Sequence, residues 1–300
     1  MNTESLLPTR RRHDVEAFRT IAAAMIVWYH AGAEGQEIAY GGLIIFLIIS
    51  TYLAAQAGTR SIQSSLQAKF HRLIVPWLLW DIVYGAVTLS LGKPPGPECS
   101  SWVGKLLTGT ATHLWYMPFI FMALLLIDVL KNNVRAPVIG AAAAVAAATA
   151  LFTVSAWRDV SIGMGYPVAQ YCHAASGALI GIFLGYKSRM PKYLFLALFA
   201  LLVAAALHAL PWRGVGVTYL VGLLFGGILS FEWLAGANFH GLEKLAPYTL
   251  GIFFIHVLVL WGVTKLHIPD KIEFLLTFAL SAALVIGLSK KFPRLVRYWA

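Results

Sequence analysis

Residues 38–57 read IAYGGLIIFLIISTYLAAQA, 20 consecutive positions without one charged side chain. As a helix rising 1.5 Å per residue, this stretch is about 30 Å long, the thickness of a bilayer's hydrocarbon core. It has no polar face. A helix that is apolar all round is buried by other helices or by lipid. Nine further apolar blocks lie on either side, and with 38–57 they place spans at about 17–33, 38–57, 73–92, 114–130, 136–153, 167–186, 194–210, 215–234, 247–264 and 272–289. The expected fold class is therefore all-α: a polytopic membrane protein of about ten transmembrane helices around a pore. These blocks use up nearly all of residues 1–300, so one integral membrane domain is expected.

Composition agrees. Hydrophobic residues make up 59% of the chain and charged ones 12%, against about 25% charged in soluble domains; mean hydropathy is +0.73. In a soluble protein the net charge of +10 would point to nucleic acid. Here it reads as cytoplasmic loops, which collect Lys and Arg, and no nucleic-acid partner is expected. With the N-terminus inside, 17 of the 23 Lys and Arg fall on the cytoplasmic side and 6 outside. That puts both termini in the cytoplasm and the chain in the plasma (inner) membrane. The basic start, Arg10 to Arg12, is followed by no small-residue cleavage site, so the first block reads as a retained helix. Cys99 and Cys172 are too few for a disulfide framework. Gly177, Gly181 and Gly185 form a GxxxGxxxG face, and Gly222 and Gly226 a second, both signals of close helix packing.

An ionisable side chain inside a membrane span is costly and marks function by default. Glu16, Arg19, His30, Arg72, Asp81, His113, His173, His208 and His256 lie in or near spans. Arg19 precedes His30 by 11 residues, close to three turns, so both share a face about 16 Å apart along the axis. Glu16, three residues before Arg19, joins them. Glu34, one turn beyond His30, reads as a solvated loop carboxylate. The span at 167–186 is unusual in opening on polar residues, Gln170, Cys172 and His173. The histidines lie on different spans without ligand spacing, so no metal is expected.

Several segments resemble the membrane-bound acyltransferase-3 family. Val15-Glu16-Ala17-Phe18-Arg19-Thr20-Ile21-Ala22, running on to His30, is similar to its first helix: an acid, an arginine three residues on, then a histidine eleven later. Gly41-Gly42-Leu43-Ile44-Ile45-Phe46-Leu47-Ile48-Ile49-Ser50 resembles its second, with Thr51 standing where glycine is usual. Lys69-Phe70-His71-Arg72-Leu73-Ile74-Val75-Pro76 matches a basic Arg-x-x-x-Pro segment. His113-Leu114-Trp115-Tyr116 and Tyr248-Thr249-Leu250-Gly251-Ile252-Phe253-Phe254-Ile255-His256 complete the series.

The resemblance implies an acyl-CoA-dependent O-acyltransferase. It would move an acyl group, acetyl by preference, from cytoplasmic acetyl-CoA to a hydroxyl of an extracytoplasmic polysaccharide or glycolipid. It implies His30, Glu16, His113 and His256 as catalytic residues, and Arg19, Arg72, His71 and Lys69, with Arg60, as holders of the coenzyme. His30 would serve as general base or transient acyl carrier, and backbone amides, His113, Trp115, Tyr116 or Ser50 would stabilise the oxyanion. Acyl-CoA, the glycan or glycolipid acceptor and membrane lipids are the expected partners. Two rivals are a lipid or glycan transporter without chemistry, for which the inverted repeats common in transporters are missing, and a scaffold of a glycan-assembly complex.

Overall fold

The structure is a computed structural model and describes residues 12–59, 61–99 and 101–293. Arg10, Arg11, Arg60, Arg294 and Arg297, all counted above, lie outside the described residues. Among those described there are helices and no strands. In chain order they are α1 (His13–His30), α2 (Gln36–Ala39), α3 (Gly41–Gln56), α4 (Ile62–Lys69), α5 (Val75–Ser90), α6 (Trp102–Thr108), α7 (Tyr116–Asn133), α8 (Ala136–Phe152), α9 (Val154–Gly163), α10 (Val168–Gly185), α11 (Lys192–His208), α12 (Gly216–Ser230), α13 (Thr249–Val263) and α14 (Asp270–Lys291).

The stretch without a polar face is the centre of the bundle. α3 packs against α1, α7, α10 and α12, and its Ile44, Ile45, Leu47, Ile48 and Ile49 are at most 1% exposed. Close approach comes from glycine. A Cβ on Gly42 would lie 2.7 Å from the Ala22 carbonyl of α1. One on Gly181 would stand 2.0 Å from Thr51 Oγ1, and one on Gly185 2.6 Å from Ala55 Cβ. The GxxxGxxxG face of α10 is therefore the seam with α3. On α12, Gly222 receives Ile44 and Gly226 receives Leu184.

Away from this centre the bundle presents apolar side chains outward. Ile82 and Leu89 on α5, Leu224 on α12 and Leu275 on α14 are more than half exposed, as lipid-facing residues are and water-facing ones rarely are in such number. Six helical segments are long and apolar enough to cross a membrane, or seven if the bent pair α8–α9, angled at 77°, counts as one. All ten expected spans fall on helices, but three do not meet that standard. α11 and α12 are 17 and 15 residues long, about 26 and 23 Å, and α1 carries Asp14, Glu16 and Arg19.

Between α4 and α5 the chain passes through a π-helical turn, Phe70–Ile74. Pro76 has no N–H to give the Arg72 carbonyl four residues back. The ladder shifts there, and the Val75 N–H bonds Phe70, five residues back. Such widened turns re-aim side chains and are frequent at functional sites; this one carries His71 and Arg72.

Candidate active site

Three histidines far apart in sequence meet in the bundle. His30 closes α1, His113 sits in the turn leading into α7, and His256 lies midway along α13. Ring centres are 5.0 Å apart for His30–His256, 5.2 Å for His113–His256 and 6.2 Å for His30–His113. His256 and His113 are 0% and 3% exposed, whereas His30 is only partly buried.

The surroundings fix how these rings can act. His256 Nδ1 lies 2.7 Å from the Phe253 carbonyl. A carbonyl only accepts, so Nδ1 carries the proton and Nε2 keeps a lone pair. That Nε2 is buried without a hydrogen-bond partner, as are both ring nitrogens of His113. The Phe254 carbonyl, the polar group nearest His113, also accepts the Tyr84 hydroxyl, at 2.7 Å. Leaving buried polar atoms unpaired costs about 1–3 kcal/mol each. A group held so is available to a partner that reaches it.

The turn bearing His113 is pinned from α5. Asp81 Oδ1 accepts the Thr110 N–H at 2.6 Å, and the Thr110 hydroxyl donates to the Asp81 carbonyl at 2.5 Å. Gly109 has φ +79°, and a Cβ there would lie 2.8 Å from Asp81 Oδ1. Only glycine satisfies both the left-handed backbone and that approach.

A cavity of about 490 Å³, lined by residues next to the histidines and not by the histidines themselves, extends towards the end of the bundle where α1 begins. Ile26, Tyr116 and Phe253 line it near the rings, Ser50 lies against the Tyr116 hydroxyl, and Arg19 and Arg72 line its far end. Along α1 the cavity is lined by Arg19 and Ile26, seven residues apart or about 10 Å, and His30 stands one turn beyond Ile26. A family model described as an acyltransferase domain matches residues 12–289.

The chain belongs to the acyltransferase-3 family. No curated protein and no solved structure matches it. The family and the apolar helices together make it a multi-pass membrane acyltransferase.

In this acyltransferase, the structure sorts the residues singled out in the sequence. His30, His113 and His256 come together. Arg19 and Arg72 come together as well, each within the other's electrostatic reach. Glu16 acts on Arg19, but it is 14 residues from His30, about 21 Å along the helix, so it does not reach the histidine cluster. Lys69 lines the cavity but is ion-paired with Asp128 on α7, which Ser65 also bonds. His71 points away: it is exposed, with Nδ1 2.8 Å from the Gln67 carbonyl. Glu34 pairs with Lys271 at 3.1 Å in the open, in line with a solvated carboxylate. Asp81 holds the His113 turn. Cys99 and Cys172 are free thiols, and among the described residues no three His, Cys, Asp or Glu side chains are placed to hold a metal ion.

Two residues of the site go unmarked in the sequence analysis. Tyr84 stacks edge-on to His113 at 5.0 Å, and Asp128 neutralises Lys69. Each looked like an ordinary residue of an apolar span. An acid in a span, such as Asp128, was the only available hint.

Proposed function

We propose that this acyltransferase moves an acyl group, acetyl in the simplest case, from cytoplasmic acyl-CoA to a hydroxyl of an extracytoplasmic polysaccharide or glycolipid. The observation that carries the reading is the pairing of two features: unpartnered buried imidazoles just beyond one end of a cavity, and two close arginines lining the other. Arginine suits phosphate because its planar fork donates in pairs. Arg19 and Arg72 would hold the phosphates of coenzyme A, and Glu16 would orient Arg19. The 17 to 6 distribution of Lys and Arg supports a cytoplasmic location for that end and for both termini, in the plasma (inner) membrane.

The cavity would take the pantetheine arm, whose thioester supplies the acyl group. His30, the one cluster histidine not fully buried, takes the proton of the acceptor hydroxyl. His256 Nε2, with its lone pair, orients and relays that proton. A His113 N–H, unpartnered and buried, can donate to the oxyanion as it forms. The acceptor oxygen bonds to the acyl carbon, the carbon–sulfur bond breaks, and the proton ends on the departing thiolate.

The test follows acetyl-labelled coenzyme A with purified protein in vesicles, with and without a crude glycan or glycolipid fraction. Acceptor-dependent loss of label from the coenzyme in the wild type, absent in His30→Ala, supports the reading. No turnover and no thermal stabilisation by coenzyme A would leave a transporter as the better account.

A further inference from the structure

A second cavity, of about 380 Å³, opens at the other end of the bundle, where α1 ends. Tyr29, Tyr40, Trp157, Arg158, Gln170 and His173 line it. It is built by the bend of α8 into α9, which brings Trp157 and Arg158 over the polar start of α10. Its size is that of a small-molecule site. Two of its polar atoms are buried without partners, Gln170 Oε1 and His173 Nε2, and His173 is 7% exposed.

These orphans restrict the occupant. A lipid tail would leave both unpaired. Hydroxyls both donate and accept, so they satisfy the Gln170 amide whichever way it is turned. The walls are aromatic: Tyr29 and Tyr40 stack at 4.5 Å, and Tyr40 and His173 at 5.0 Å and 12°. Trp157 is held by its Nε1–H, which donates to the Ala150 carbonyl at 2.7 Å. Flat rings beside hydroxyl-bonding groups suit a sugar ring. Neither arginine brings unopposed charge: Arg213 pairs with Glu37 at 2.6 Å, and Arg158 faces Asp159 at 3.5 Å.

We infer that this cavity is an acceptor subsite for a neutral, hydroxyl-rich sugar unit, held by Gln170 and His173 against Tyr29, Tyr40 and Trp157. The inference rests on the acyltransfer reading above and narrows its acceptor to a neutral sugar held at a named place. It also accounts for the polar opening of the 167–186 span and for His173, which matches no family segment. The subsite borders the reacting centre, because Tyr29 precedes His30 and their rings are 5.3 Å apart. A glycan held here would present its neighbouring unit to His30.

The test is equilibrium dialysis of the purified full chain against labelled maltotetraose, cellotetraose and mannotetraose, with tetragalacturonate as the acidic counterpart. At least one neutral oligosaccharide is expected to bind more tightly than the acidic one. Gln170→Leu, which keeps the shape, and Trp157→Ala should each weaken it about tenfold, the worth of one buried contact. No binding by any neutral oligosaccharide, tighter binding of tetragalacturonate, or affinity unchanged in both variants would overturn the inference. Thermal stabilisation by coenzyme A, measured on the same samples, separates the two readings. Stabilisation without sugar binding defeats the subsite alone; sugar binding without stabilisation defeats the acyl-CoA reading alone.

Discussion

The imidazoles of His30 and His256 stand 5.0 Å apart between ring centres, although α1 and α13 lie at opposite ends of the chain. His256 is oriented by the Phe253 carbonyl of its own helix, so its free Nε2 is presented by backbone geometry. This relationship separates two roles that histidine replacement alone would blur.

His30→Ala should lower acyl transfer by about 10²–10⁴-fold, the usual contribution of a general acid–base group. His256→Ala should also lower kcat, while leaving thermal stabilisation by coenzyme A intact. If His256 orients and relays the proton, its removal also displaces the pH–rate profile of the residual activity. Kinetics across pH on both variants checks this; an unaltered profile in His256→Ala would assign it to packing.

Arg19→Ala and Arg72→Ala should each raise KM for acetyl-CoA by about 10–100-fold, the loss of one charge-assisted contact of roughly 1.5–3 kcal/mol. Lysine at either position should recover only part, lacking the fork. Lys69→Ala should matter less for the donor, because Asp128 already occupies its charge. Initial rates at varied acetyl-CoA concentration decide the order.

Gly181→Ala places a methyl 2.0 Å from Thr51 Oγ1 and 2.6 Å from the Ile48 carbonyl. Overpacking of this kind costs about 1–3 kcal/mol. Adding Thr51→Gly should return part of the loss, since the hydroxyl clash disappears and the backbone clash stays. A double-mutant cycle of thermal unfolding in detergent measures the coupling; strict additivity would refute the seam.

Arg12 straps the start of α1 to its neighbours. It pairs with Asp14, fully buried, at 2.5 Å, and donates to Tyr52 Oη at 3.2 Å and the Leu229 carbonyl at 3.0 Å. The bond to Asp14 raises the Arg12 pKa further, so the strap keeps its charge at any working pH. Arg12→Ala would leave a buried carboxylate unpaired, at about 3–5 kcal/mol. Thermal unfolding should show that loss, and Asp14→Asn added to Arg12→Ala should relieve part of it.

One sequence was enough to determine the solvent of this protein, its all-helical class and its family. Long apolar runs dictate helices because backbone polar groups in lipid must be paired within the segment. The face shared by Arg19 and His30 follows from helical periodicity alone. The glycine seams were legible because only glycine admits a helix so closely. What the tertiary structure decided was which polar groups meet. His113 and His256 join His30 only once α13 and the α7 turn pack beside α1. Asp81 becomes the anchor of the His113 turn, and Lys69 is claimed by Asp128. His173 becomes part of a wall only because α8 bends into α9. Local sequence sets the face on which a side chain lies; the packing of separate helices sets which other face it meets, and a single chain read in order carries no record of that pairing.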